Sequence, residues 1–182
     1  DGRLVVQTNA SGEFDLISGS DRDFVFVSLP SGFEIQKLSN GSASFFQRID
    51  KSKTEQSLSF ELKKSSAPDS NHHFLLLSDT QIQDEYEANQ LLTVAAPDVV
   101  KTLASLNDPN AFGIGCGDLV FDKLELFKEY NQSVQMYNIP FFQVIGNHDM
   151  DFGVRSDAWT ASTFKGHFGP TYYSWNRGEI HY

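Results

Sequence analysis

Residue types that bind metals and transfer protons follow one apolar segment of this chain. Gly146-Asn147-His148-Asp149 comes directly after Phe141–Ile145 and places an amide, an imidazole and a carboxylate on consecutive positions. A buried strand that delivers such side chains to a loop is a common way to build a metal-dependent active site. Taken alone, the triplet also fits a turn followed by a helix N-cap, because Asn and Asp favour such positions.

Two earlier apolar segments end in the same kind of residue. The run Phe74–Asp79 ends in Asp79 and is followed by Gln81, and Asp118 follows Ala111–Gly117. Carboxylate and amide oxygens suit Mn²⁺, Fe²⁺ or Mg²⁺ and, with added imidazoles, Zn²⁺. Two carboxylates and two amides do not complete the coordination of two metal ions. We therefore expect these residues to form only part of a metal site.

The segments that carry these residues lie between helical patterns. Glu85–Leu106 and Lys123–Tyr137 have apolar residues at helical spacing, and three apolar runs predict buried strands before, between and after them. Pro97 predicts a kink or a split in the first helix. This alternation predicts an α/β fold with parallel strands and right-handed crossovers. Residues at the carboxyl ends of such strands meet in one crevice.

Residues 1–66 have a different pattern, which predicts a small all-β sandwich domain. Short segments rich in Val, Phe, Leu and Ile are separated by turns that contain Gly, Asn, Ser or Pro. The predicted strands are Arg3–Thr8, Gly12–Ile17, Asp23–Leu29, Ala43–Ile49 and Leu58–Lys64. The polar segment Ser65–Asn71 predicts a linker to a second domain over residues 72–182.

Composition restricts the classes of partner. The formal net charge is −10 and the pI is near 4.8, which argues against binding to nucleic acid or to anionic membranes. No apolar stretch of about 20 residues predicts a membrane span. The single cysteine, Cys116, lies in an apolar run, and we expect it to be buried and unreactive. Oligomeric state has no signal in the sequence.

Three short motifs resemble, in order and spacing, those of the calcineurin-like metallophosphoesterases. The family's motifs run Asp-x-His, Gly-Asp and Gly-Asn-His-Asp/Glu, followed by a later His and Gly-His-x-His. The matching motifs here are Asp79-x-Gln81, Gly117-Asp118 and Gly146-Asn147-His148-Asp149. The resemblance covers residues 73–182 and corresponds to the first half of such a domain. Residues 1–66 resemble the β-sandwich that precedes the catalytic domain in some exported bacterial members.

The resemblance implies a phosphoric ester hydrolase that acts on phosphate mono- or diesters. It implies two divalent metal ions, with Mn²⁺ favoured, and attack by metal-bound hydroxide. Asp118 would bridge the metals, His148 would stabilise or protonate the leaving group, and Asp149 would hold the His148 ring. The implied metal ligands are Asp79, Gln81, Asp118 and Asn147.

The chain departs from the family pattern in two places. Gln81 replaces the His of the first motif, and its neutral oxygen shifts the metal preference away from Zn²⁺. The later histidine motifs are not in these 182 residues, so we expect an incomplete and inactive fragment. His167 and His181 do not fit those motifs, and we expect them to be structural. Asp122 and Asp151 are expected to be loop or capping residues.

Two alternatives to catalysis follow from these features. Gln81 favours a non-catalytic descendant that keeps the phosphoesterase fold for binding or scaffolding. The β-rich N-terminal half favours a cell-surface module that binds glycan or protein. The resemblance to exported members also implies a location in the bacterial periplasm or at the cell surface.

Overall fold

Short strands and helices alternate through the second part of the protein, whereas the described residues of its first part contain two short strands. The computed structural model describes residues 4–19 and 21–182. In chain order the helices and strands are β1 (Phe24–Phe26), β2 (Phe46–Arg48), β3 (Phe74–Leu77), α1 (Glu85–Gln90), α2 (Ala96–Leu106), β4 (Phe112–Cys116), α3 (Phe127–Tyr137), β5 (Phe141–Val144), α4 (Ser162–Phe168), β6 (Asn176–Arg177) and β7 (Ile180–His181). Turns of 3₁₀-helix cover Leu124–Leu126, Asn147–Asp149 and Asp157–Trp159.

The central sheet is parallel, and its strand order β3-β4-β5 is the order of the sequence. The apolar runs that predicted three strands are strands in the structure, and the predicted mixed α/β character is confirmed. Leu77 is paired with Gly115, and Cys116 is paired with Val144. The carboxyl ends of the three strands therefore lie at one edge of the sheet, where the candidate site residues follow.

The first helical segment changes its hydrogen bonding near Pro97. Asp84 caps α1 by accepting a hydrogen bond from the Glu87 amide. A π-helical stretch, Leu91–Ala95, then joins α1 to α2, which has Pro97 in its first turn. Because proline has no N–H and crowds the preceding turn, the wider π stretch accommodates it without a break in the helix. No helix in the described ranges 4–19 and 21–182 is long and apolar enough to cross a membrane.

Each face of the sheet is covered by its own apolar core. Helices cover one face, where Phe127, Tyr130, Val134, Phe141 and Phe164 are among the buried residues. Residues from the N-terminal part and from the β6–β7 hairpin cover the other face, where Leu29, Phe45, Phe112, Phe142 and Trp175 are buried. Burying one such aromatic side chain stabilises the fold by about 1.5–3 kcal/mol.

The N-terminal part is joined directly to the central sheet. Ser42 forms a parallel bridge with Phe141, for which Ala43 donates to the Phe141 carbonyl (2.7 Å) and Phe141 donates to the Gly41 carbonyl (3.1 Å). Residues 41–43 therefore pair with the outer edge of β5. Two residues further on, Phe45 packs into the core on one face of the sheet, with its ring centroid 5.6 Å from that of Phe142.

The predicted β-sandwich is not confirmed. Within the described residues, only the segments around β1 and β2 form strands in this part, and these two pair with each other. The predicted strand Leu58–Lys64 contributes a single bridge, between Lys64 and Phe33, and Arg3 lies outside the described residues. The physical reason is competition for partners, since residues 41–43 pair with β5 and Phe45 packs on the sheet. The boundary between residues 66 and 72 remains a prediction.

A buried ion pair connects four distant parts of the chain. Arg177, which is 3 % exposed, donates to the carbonyls of Phe33 (2.8 Å) and Asn110 (3.0 Å). Its guanidinium lies 3.8 Å from the carboxylate of Asp69, which also accepts a hydrogen bond from the Gly32 amide (2.7 Å). A buried charge is tolerated only with such partners, so this group fixes the N-terminal part against β4 and the β6–β7 hairpin.

We expect Asp69→Asn to lower the free energy of unfolding by about 1–3 kcal/mol, because Arg177 loses its charged partner. Burial opposes ionisation of Asp69, but hydrogen bonds from the Gly32 and Gly178 amides and from Ser31, together with the charge of Arg177, hold its pKa below the usual value. The stabilisation is therefore present above the unfolded-state pKa and is lost as the pH falls through the folded-state pKa.

Urea denaturation of wild-type and variant proteins between pH 7 and pH 3 measures this effect. The difference between them should be largest at neutral pH and should shrink on acidification. Asp15→Asn is the matched control, because the same charge is removed from an exposed side chain. Equal stability of the Asp69 and Asp15 variants at pH 7 would contradict the assignment.

Candidate active site

The loops after the strands have an unusual backbone conformation. Six non-glycine residues in the described part of the chain have positive φ, and four of them follow β3 or β4. These four are Asp79 (φ 52°), Gln81 (φ 43°), Asp118 (φ 47°) and Asp122 (φ 62°). Left-handed residues cost free energy and concentrate at functional sites, where the surrounding structure holds them in place. Gln81 is the least expected of the four, since Asp and Asn enter this region more readily than Gln.

The side chain of Gln81 lies between two carboxylates. Its Nε2 is 3.4 Å from Oδ1 of Asp79 and 3.2 Å from Oδ2 of Asp118. Its backbone amide also donates to the Asp118 carbonyl (2.9 Å), which joins the loop after β3 to the loop after β4. The structure therefore brings together Asp79, Gln81 and Asp118, which are 39 positions apart at most in the sequence. A 180° rotation of the side-chain amide of Gln81 would place its oxygen where its nitrogen now lies.

The loops after β4 and β5 touch through their backbones, and glycine makes this possible. A Cβ on Gly146 would lie 2.1 Å from the Asp118 amide nitrogen, and one on Gly117 would lie 2.9 Å from the Gly146 Cα. The His148 amide donates to Oδ1 of Asp118 (3.0 Å) across this contact. Asp118 thus accepts a hydrogen bond from each neighbouring loop and occupies the centre of the site.

Asp149 is fully buried and binds backbone amides. Its Oδ1 accepts hydrogen bonds from Leu119 (2.8 Å) and Val120 (3.1 Å), and its Oδ2 accepts one from Gly146 (2.9 Å). Burial raises the pKa of the carboxyl, and these hydrogen bonds offset part of the rise. The expected contact between Asp149 and the His148 ring is not made. The 3₁₀ turn Asn147–Asp149 directs this carboxylate inward, where it joins two loops.

Asp122 contacts the His148 ring instead. Nδ1 of His148 lies 2.7 Å from Oδ1 of Asp122, and because a carboxylate only accepts, Nδ1 carries the proton. The hydrogen bond to Asp122 is the main cause that raises the pKa of His148. The Phe121 ring stacks on the imidazole with centroids 4.1 Å apart and planes inclined by 22°. Sequence reasoning missed both neighbours. The available signal was a second carboxylate four positions after Asp118 in the same loop.

The remaining predicted residues differ in their surroundings. Asn147 is exposed at the start of its 3₁₀ turn, next to His148. The prediction that Cys116 is buried is wrong, because its side chain is exposed. Cys116 is the last residue of β4, where the N-terminal part no longer covers the sheet. Partial desolvation and the charge of Asp79 raise its pKa, so it stays a neutral thiol.

The two C-terminal histidines make contacts away from these loops. The His167 ring packs 5.3 Å from Phe127 between ring centroids, and burial lowers its pKa. Nδ1 of His181 lies 2.7 Å from Oδ1 of Asn176, within the β6–β7 hairpin. Both sets of contacts agree with the structural roles expected from the sequence.

The donor set fits part of the coordination shell of a hard divalent ion. Asp79, Gln81 and Asp118 present carboxylate and amide groups to one small region, which suits Mn²⁺ or Mg²⁺ better than a sulfur-preferring ion. Across residues 4–19 and 21–182, no group of three or more His, Cys, Asp and Glu side chains is arranged to hold a metal. A dinuclear centre would need further ligands from water, substrate or other residues.

The N-terminal part of the chain is similar to a known protein family. The family model described as the N terminal of calcineurin-like phosphoesterase matches residues 1–65. This part of the chain is separate from residues 79–149, whose motifs resemble the same superfamily, so the match supports that superfamily independently of the site. No curated protein and no solved structure matches the chain. The class supported by these findings is a calcineurin-like phosphoesterase, and the roles of the site residues remain predictions.

We expect Asp149→Asn to destabilise the protein by about 1–3 kcal/mol. The amide oxygen can still accept from the Leu119 and Val120 amides, but its NH₂ group would then face the Gly146 N–H, so one donor would lose its acceptor. Denaturant unfolding measures the change in stability. Hydrogen exchange of the three amides should show that protection at Gly146 falls most.

Asp122→Asn is the matched comparison, because the same chemical change is made on an exposed carboxylate. Stability should change little, whereas the pKa of His148 should fall when its charged partner is removed. An NMR titration of the metal-free protein measures this pKa. A fall in the His148 pKa for Asp149→Asn as large as that for Asp122→Asn would contradict the assigned partners.

Proposed function

We propose that the protein to which this chain belongs hydrolyses phosphate mono- or diesters at a dinuclear centre of divalent metal ions, with Mn²⁺ favoured. The observation that carries the proposal is the meeting of Asp79, Gln81, Asp118 and His148 at the carboxyl ends of three parallel strands. Metal ions bound there would activate water and neutralise charge on the phosphoryl group. The family match over residues 1–65 agrees with this class of reaction.

The side chains of the proposed metal ligands differ in their hydrogen bonds and in their exposure. Asp118 is oriented by hydrogen bonds on both oxygens, from Gln81 and from the His148 amide, which suits a ligand that bridges two ions. Asp79 is exposed and would hold the first ion. Asn147 is exposed on the neighbouring loop and would hold the second. The neutral oxygen of Gln81 would complete the set and favours Mn²⁺ or Mg²⁺ over Zn²⁺.

His148 is the proposed proton donor to the leaving group. Asp122 accepts from Nδ1, which leaves Nε2 as the ring nitrogen that can face a substrate oxygen. The raised pKa of His148 keeps a larger fraction of the ring doubly protonated near neutral pH, and Nε2 can then release a proton. Its backbone amide binds Asp118 whatever the side chain does, so the proton-transfer role and the metal-supporting role are separable.

One observation favours a second candidate, a non-catalytic phosphoesterase fold. The Gln81 amide donates to both Asp79 and Asp118 and so reduces the repulsion between the two carboxylates without a cation. Such a protein would keep the loops in place but bind metal weakly. Metal binding and turnover by the full-length protein distinguish the two candidates.

We expect Asp118→Asn to abolish Mn²⁺ binding, because it removes the bridging charge, and with it turnover. His148→Asn should leave Mn²⁺ bound and slow hydrolysis of an alkyl phosphate ester, whose poor leaving group needs a proton, by about 10²–10⁴-fold, the usual contribution of a positioned acid. Isothermal titration calorimetry measures Mn²⁺ binding by the full-length protein. An alkyl phosphate ester measures the effect of His148→Asn on turnover, and nitrophenyl phosphate and bis(nitrophenyl) phosphate measure turnover of a mono- and a diester.

The matched control is Asp15→Asn, which removes one negative charge from the exposed N-terminal part and should change neither quantity. Loss of Mn²⁺ from His148→Asn would show that the imidazole has been given the wrong role. No turnover of any of these esters by the wild-type protein with Mn²⁺, Fe²⁺, Mg²⁺ or Zn²⁺ would favour the non-catalytic candidate.

A further inference from the structure

We infer that Phe121 is a positioning residue for the reaction: its ring fixes the plane of the His148 imidazole and thereby the direction in which Nε2 points. The inference rests on the proposed function, in which Nε2 delivers the proton to the leaving group. Phe121 acts through the imidazole.

Asp122 and Phe121 restrain different motions of the His148 imidazole. Asp122 holds Nδ1 at 2.7 Å, which fixes one atom of the ring but permits rotation about that contact. Phe121 lies against the ring face, with centroids 4.1 Å apart and planes inclined by 22°. A nearly parallel contact at this distance restricts tilting of the imidazole. Together the two contacts determine both the position and the plane of the ring.

The backbone of Phe121 is fixed to the rest of the site. Its amide donates to the Ile82 carbonyl (3.0 Å), directly after Gln81, and Val120 forms a parallel bridge with Ile82. Asp122 follows in a left-handed conformation, and its amide donates to the His148 carbonyl (3.2 Å). Phe121 is therefore held between the loop that carries the first predicted metal ligands and the loop that carries the imidazole.

Core packing does not account for this side chain. Phe121 is only half-buried, and it belongs to neither of the two apolar cores formed by the described residues. Its one aromatic neighbour within residues 4–19 and 21–182 is His148. By contrast, Phe127, six positions later, is fully buried and packs against Phe164 and Phe168. A large apolar ring beside an imidazole, outside the core, points to a role in positioning.

The inference predicts a dependence on the leaving group. An alkyl ester has a poor leaving group that needs a well-placed proton, whereas a nitrophenolate leaves with little help. We expect Phe121→Leu in the full-length Mn²⁺ protein to slow kcat for an alkyl phosphate ester by about 10-fold, because a small misplacement of the acid is costly. For the nitrophenyl ester of the same charge, kcat should change by less than about 2-fold.

A structural measurement tests the ring contact without turnover. In the wild-type protein the ring current of Phe121 should shift the carbon-bound imidazole protons of His148 upfield in the NMR spectrum. The His148→Asn variant identifies these signals by their loss. Phe121→Leu should return them toward the positions of an unstacked histidine, and Phe121→Tyr, which keeps the ring, should restore both the shift and the rate on the alkyl ester.

Phe74→Leu is the matched control, since Phe74 is a partly exposed phenylalanine that stacks on Phe112 at the opposite end of β3. It should leave both esters and the His148 signals unchanged. Equal slowing of both esters by Phe121→Leu, no slowing of either, or no rescue by tyrosine would overturn the inference while the proposed function stands. No turnover by the wild-type protein with any divalent metal would overturn both.

Discussion

The site depends on a backbone contact between two loops. Gly117 and Gly146 approach so closely that no side chain fits between them, and the buried carboxylate of Asp149 accepts hydrogen bonds from amides on both sides. This contact sets the distance between Asp118, in the loop after β4, and His148, in the loop after β5. A buried charge with three amide partners is stable only in this geometry, so the loops cannot separate without leaving those groups unsatisfied.

The strained conformations at the site are supported by the packing beneath it. Left-handed residues cost of order 1–3 kcal/mol each, and the described loops contain several of them. The sheet under these loops has an apolar core on each face, one from the helices and one from the N-terminal part. Because both cores anchor the same three strands, the strand ends stay fixed while the loops adopt conformations that are unfavourable by themselves.

Sequence patterns predicted the strand ends well and the side-chain partners poorly. Continuous apolar runs and helical spacing identify β3, β4 and β5, and parallel topology then brings Asp79 and Asp118 together. The choice between Asp122 and Asp149 as partner of His148 depends on one left-handed residue and one 3₁₀ turn, which no pattern encodes. The β-sandwich prediction is not confirmed. Period-2 segments indicate strands but not their partners, and here residues 41–43 pair with the edge of β5 while neighbouring aromatic side chains pack on the face of the sheet.

The pairing of residues 41–43 with β5 limits how the two parts of the chain can be separated, both in evolution and in protein engineering. An independent domain can be gained or lost by recombination, because its loss does not expose the core of its neighbour. Here, loss of the N-terminal part would expose Phe112, Phe142 and Trp175 to solvent and leave the edge of β5 unpaired. Such edges and apolar faces promote aggregation. A chimaera made with a homologous protein should therefore take the N-terminal part and the central sheet from the same parent. The second part expressed alone should be insoluble.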